Sequence, residues 1–198
     1  MEIIHGEGVV RATLRTKQWH GREAPEASWA WNLTKSLIQT SLFWTVFLIL
    51  IPAGIRVLER ACGWHHLPLL SHNLQLIVGT LLLFFSALGL SSCYSMAVWG
   101  HGTPLPADCT RQLVTIGPYR YVRNPMAIAG PMQAVMIGLL IGSLFTVFYA
   151  ITGMLLWNLW MRPWEEDDLE NRFGAAYVHY RTHVRCWIPR LVGYRASE

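Results

Sequence analysis

Two short polar segments of this chain carry residue types that could do chemistry. The first runs from Trp99-Gly100-His101-Gly102-Thr103-Pro104 to Arg123-Asn124-Pro125, and the second is Arg162-Pro163-Trp164-Glu165-Glu166. Backbone N–H groups near Gly100, Gly102 and Gly117 could meet anionic groups, arginines a carboxylate, carboxylates hydroxyls, and aromatic rings a base. Together they suit a nucleotide-like, partly charged ligand. Each part also has a plainer reading. Gly-His-Gly can be a turn, the acids of 165 to 168 can complement a helix terminus, and Arg120 and Arg123 can be topology determinants at lipid headgroups. His101 has no second His, Cys or carboxylate at ligand spacing, and the scattered Cys62, Cys93, Cys109 and Cys186 make neither a zinc site nor a redox pair. No metal is expected.

The elements that must position these segments are apolar. Of the 198 residues 14% are charged and 53% hydrophobic, with a mean hydropathy of +0.29, whereas a soluble domain has about a quarter of its residues charged. The net charge of +4 does not indicate nucleic acid, because the positive residues flank apolar runs rather than forming a basic helix. Residues 1–35 read as a polar cytosolic arm, and residues 36–198 as one membrane domain. No cleavable signal peptide is expected, since the first apolar run starts near Ser36 and is long enough to span.

An all-α integral membrane protein of about four transmembrane helices is expected, with spans near 36–58, 74–99, 125–141 and 143–161 and a cytosolic tail, 162–198. Pro52 should kink or end the first span, and Gly79 and Gly89 are possible close-packing points in the second. Residues 124–161, a run of 38, contain no Asp, Glu, Lys or Arg. That is too long for one crossing of a hydrocarbon core about 30 Å thick, so the chain must reverse near Leu140-Ile141-Gly142-Ser143. An irregular bend cannot sit in lipid, so the turn should reach the far interface. This tight hairpin returns the chain to one face and should bring Arg123 near Arg162.

Four spans put both termini and the loop around 100–123 on one side, with 14 of the 16 Lys and Arg residues. The positive-inside rule makes that side cytosolic, in a bacterial inner membrane or the endoplasmic reticulum. In the tail, Pro163 suits a first helical turn. Leu169, Phe173, Ala176, Tyr177, Tyr180 and Val184 recur at helical spacing, as an amphipathic cytosolic helix would.

Leu113-Val114, Gly117-Pro118-Tyr119-Arg120-Tyr121-Val122-Arg123-Asn124-Pro125, the apolar hairpin, Glu165-Glu166 and Phe173-Gly174-x-x-Tyr177-x-x-Tyr180 occur in this order. The combination resembles the isoprenylcysteine carboxyl methyltransferase and phospholipid N-methyltransferase superfamily, over about residues 75–190. The resemblance implies S-adenosylmethionine as cofactor at the cytosolic face and a lipophilic acceptor entering from the membrane lipids. It assigns the cofactor to Gly100, His101, Gly102, Leu113, Val114, Gly117, Tyr119, Asn124, Glu165 and Glu166. Arg123 would orient the acceptor or the cofactor carboxylate, and Glu165 would be the other catalytic residue. Tyr119 and Trp164 are candidates for an adenine pocket or for interface anchors. The family's common histidine is Asn124 here, and a tyrosine often found two residues after the proline is Ala127.

The expected reaction is methyl transfer to the carboxylate of a prenylated cysteine or a similar lipophilic molecule. A carboxylate needs no base; an amine would, and Glu165 or Glu166 could serve if its pKa were raised. The competing readings are an NADPH-dependent membrane reductase of related fold and a non-catalytic membrane protein. A transporter is disfavoured, because the hairpin offers only Pro131 and Gln133 near the midplane.

Overall fold

The computed structural model describes residues 22–64, 70–105 and 108–195. Most of the expected N-terminal arm lies outside these. The described residues are helical, apart from loops and an isolated bridge between Glu23 and Cys109.

Helix α1 begins at Trp29, earlier than the apolar run at Ser36, because Ser28 caps it by accepting from the Trp31 N–H (3.3 Å). It runs to Ala61 as one 33-residue rod. Pro52 neither ends nor breaks it. The turns before it, Thr45–Leu50, are wound as a π-helix, and this wider winding accommodates a residue that has no N–H and crowds the preceding carbonyls.

Helix α2 (His72–Trp99) packs most extensively against α3 (Pro125–Leu140), and α3 in turn against α4 (Leu144–Leu156). Gly89 is a contact point, with its missing Cβ position 3.6 Å from both Ala129 and Trp44, but Gly79 faces open space. Gln133, buried in α3, donates to the Ser86 hydroxyl of α2 (2.8 Å). Large apolar side chains such as Phe84, Leu83, Leu159 and Trp160 point outward instead, the pattern of a bundle solvated by lipid.

The reversal between α3 and α4 falls at Ile141–Ser143, with Gly142 at φ +68°. Its polar groups are satisfied by protein. Ser143 accepts from the Thr146 N–H (3.1 Å) and donates to the buried Glu59 carboxylate of α1 (2.8 Å), which also accepts from the Phe145 N–H (3.4 Å). A carboxylate against the start of α4 complements the helix dipole as well.

Helix α4 passes through a π-wound stretch, Trp157–Met161, into α5 (Arg162–His183). Among the described residues three rods are long and apolar enough to cross a membrane: Trp29–Ala61, His72–Trp99 and Leu144–His183. The α3 helix, at 16 residues, is shorter than the roughly 20 residues of a full crossing. The expected count of four spans therefore narrows to three long rods and one short apolar helix. Further along, α5 bends at Gly174 (φ +53°, ψ −129°), a conformation open essentially to glycine alone. Past the bend Tyr177, Tyr180 and Val184 are buried with Tyr194, and Leu113, Leu169 and Phe173 pack on them. This amphipathic face is covered by protein.

Candidate active site

The hairpin brings the two polar segments together. The Arg123 guanidinium donates through Nη2 to Glu166 Oε1 (2.6 Å) and through Nη1 to the Arg181 carbonyl (3.2 Å). Arg162 approaches the same carboxylate oxygen at 3.7 Å. The expected meeting of Arg123 and Arg162 thus takes place on Glu166.

Beside them, Asn124 does two jobs. Its Oδ1 accepts from the Ala127 N–H (3.2 Å), capping α3, and its Nδ2 donates to Glu165 Oε2 (3.3 Å). The other oxygen of Glu165 accepts from the Trp157 indole N–H (3.4 Å). Burial pushes the Glu165 carboxyl up to about 7; the neighbouring Glu166 adds to the rise, and the two hydrogen bonds only partly oppose it. The group therefore exchanges its proton near neutrality.

Two tyrosines complete the surroundings. Tyr119 and Tyr177 are buried, and among the described residues neither hydroxyl has a hydrogen-bond partner. Burial raises both phenols, which stay protonated. The charges that act on Tyr177 include Glu166 and Arg123, and those acting on Tyr119 include Glu165. An unpaired hydroxyl in such a place costs on the order of 1–3 kcal/mol, a cost that a ligand's polar atoms would relieve.

The glycine segment is built differently from its sequence expectation. The N–H of Gly100 donates to Ser95 O (3.3 Å) and that of Gly102 to Met96 O (3.5 Å), closing the end of α2. Meanwhile Gly100 O accepts from the N–H groups of Arg111 and Gln112 (2.7 and 3.2 Å). A Cβ on Gly100 would lie 2.6 Å from Met96 O and 2.7 Å from Val114, and one on Gly102 2.5 Å from Cys109 O. Between them His101 is exposed, with φ +52°. Here glycine lets two backbones touch. Gly117 (φ +61°) likewise seats the turn Gly117–Arg120 against Ser95, whose hydroxyl would be 2.4 Å from an added Cβ.

Val114 is buried beneath Gly100, Leu113 packs on the tyrosine cluster, and the Tyr180 hydroxyl donates to Tyr119 O (2.6 Å). The two halves are tied by Arg172, which bonds the Thr110 carbonyl and Asp168. Arg123, Asn124, Glu165 and Glu166 therefore form one cluster, while Gly100, Gly102 and Val114 pack at the end of α2, Gly117 seats its turn on Ser95, Leu113 lies on the tyrosine cluster and His101 is exposed. Trp164, 59% exposed, lies on the outer surface. Sequence reasoning left Trp157 and Tyr177 out of the site. Trp157 stands eight residues, just over two helical turns, before Glu165, a spacing that could have pointed to it.

A helical membrane bundle with a neutral-range carboxyl, a paired arginine and unpartnered phenols at the end of a hairpin has the makings of a polar-headed, lipid-side enzyme site. A family model described as phospholipid methyltransferase matches residues 74–176, more than half of the 198. The chain belongs to this family of membrane methyltransferases and is an integral membrane protein. No curated protein matches it.

Family membership implies a methyl donor. The residues present suit S-adenosylmethionine: phenol hydroxyls unpaired among the described residues for its polar atoms and a half-buried carboxyl suited to hydroxyl, amino or cationic groups. Among the described residues no three His, Cys, Asp or Glu side chains converge as a metal site would require.

Proposed function

We propose that the protein transfers a methyl group from S-adenosylmethionine to a lipophilic acceptor at the cytosolic membrane face, and that the acceptor atom is a lipid amine nitrogen. The observation that carries this reading is Glu165, a half-buried carboxyl held by Asn124 and Trp157 and lifted by desolvation to about 7. When bound, S-adenosylmethionine supplies an electrophilic sulfonium methyl that leaves to a nucleophile in line.

The chain's residues prepare the nucleophile and the geometry. Glu165 takes the proton that an ammonium must lose before its nitrogen lone pair can attack, and Asn124 and Trp157 fix the two oxygens of that base. Arg123 holds Glu166 in place. Tyr119, Tyr177 and Glu166 bind the donor's polar groups, and the Gly100–Gly102 and Leu113–Gly117 segments shape the wall behind them.

An acceptor carboxylate, as on a prenylated cysteine, needs no base and would look for an arginine. Arg123 is already engaged by Glu166 and the Arg181 carbonyl, so the amine is favoured. For topology, four crossings, with α3 the short one, put both termini and the site in the cytosol.

The test is incubation of the purified protein with methyl-labelled S-adenosylmethionine and lipid extract. Label in a base-stable lipid product supports N-methylation. Label released by alkali as methanol would indicate a methyl ester and overturn the amine assignment, and no labelled lipid at all would overturn the proposed transfer.

A further inference from the structure

Residues 184–195 form a strap tied across the Gly117–Arg120 turn. The Arg123 N–H donates to Arg185 O (2.9 Å), the Arg190 N–H to Tyr121 O (2.8 Å) and the Tyr194 N–H to Arg120 O (2.8 Å). In return Arg120 Nε donates to Tyr194 O (3.1 Å). Trp187 pins its middle, donating through its indole N–H to Asn158 Oδ1 (2.8 Å) and standing edge-on to Trp157 at 5.5 Å. Those partners lie where the apolar Leu144–Met161 stretch ends and where Leu159 and Trp160 face outward. The strap thus sits where an apolar helix gives way to polar residues, the setting in which interfacial tryptophans concentrate.

At that level the strap exposes Ile188, Leu191 and Val192, the last 74% accessible. A recess of about 580 Å³ beside them is lined by His183, Arg185, Pro189 and Arg190. Residues 184–195 contain three arginines and no acid. Among the described residues neither Arg185 nor Arg190 has a carboxylate partner, whereas Arg123, Arg162, Arg172 and Arg181 all do. Uncompensated cations above an apolar tip suit a surface that is anionic outside and oily within.

We propose that the strap is a docking site for anionic phospholipid headgroups, with Arg185 and Arg190 on the phosphate and Ile188, Leu191 and Val192 in the acyl boundary. The inference rests on membrane embedding and not on the methyl-transfer reading. The same strap accepts the Arg123 N–H, so an occupied headgroup site also steadies the turn that carries Arg123 and Asn124.

The test uses the full chain in lipid nanodiscs, with a fluorophore at Val192→Cys in a Cys62→Ser background. Quenching by spin-labelled phosphatidylglycerol should exceed quenching by spin-labelled phosphatidylcholine several-fold. Arg185→Gln with Arg190→Gln should abolish that preference, an apparent affinity loss of about thirtyfold for two interfacial cations. Each single substitution leaves the backbone bonds of the strap intact and should give part of the loss. Equal quenching by the two lipids, no quenching by either, or a preference that survives both substitutions would overturn the proposal.

Discussion

Arg123 and Glu166, 43 residues apart, meet at 2.6 Å, and this contact closes the apolar hairpin on its polar side. The pair is mostly withdrawn from water, at 12% and 20% side-chain exposure. Removing one member of such a pair strands the other. Arg123→Ala should therefore lower stability by about 2–3 kcal/mol, less than a fully buried pair because Arg162 remains near Glu166. Thermal unfolding in detergent measures this, and Arg123→Ala with Glu166→Ala should cost less than the two single losses added together.

Activity should rise with pH through about 7, the value to which burial lifts Glu165, because the base form is the deprotonated one. Stability runs the other way. Below the unfolded value near 4.5 both states hold the proton; between 4.5 and 7 the unfolded chain loses it first, so stability falls as pH rises. Glu165→Gln should remove the activity slope and stabilise the protein above pH 7, by roughly 3 kcal/mol at most.

Asn124→Ala removes the cap of α3 and the hydrogen bond that favours ionised Glu165. It should cost about 1 kcal/mol and shift the activity profile to higher pH. A loss of stability with an unmoved profile would separate the cap from the base.

Gly102→Ala places a methyl group 2.5 Å from Cys109 O and 2.6 Å from the Thr110 backbone, atoms that cannot swing aside. It should destabilise by a few kcal/mol and disrupt the wall of the site. Gly153→Ala, with nothing within 4 Å, should be neutral or slightly stabilising.

The sequence made the larger geometry legible. A charge-free run too long for one crossing forces a hairpin, and a hairpin brings Arg123 back to Arg162 whatever the details. Helix α1 was less legible: its cap at Ser28 precedes the apolar run, and the π-winding that accommodates Pro52 leaves no mark in hydropathy. For the glycines at 100 and 102 sequence leaves a ligand-facing loop and a plain turn both open, because a missing side chain looks the same whether a ligand or Cys109 fills the space. Tyr177 stands out in sequence both at helical spacing among apolar residues and in the motif that carries the family resemblance. Only packing shows that its hydroxyl is left unpaired beside the Arg123–Glu166 pair, and that Trp157 holds Glu165 from two turns away.

The central claim is that this cluster binds the methyl donor, and calorimetric titration of the detergent-purified protein with S-adenosylhomocysteine tests it most directly. Micromolar binding is expected, weakened at least tenfold by Tyr177→Phe, a change that removes an unpartnered hydroxyl and should leave thermal stability unchanged or raised. NADPH titrated in the same way should give no signal. Binding of NADPH without S-adenosylhomocysteine, or silence with both from a folded protein, would contradict the account.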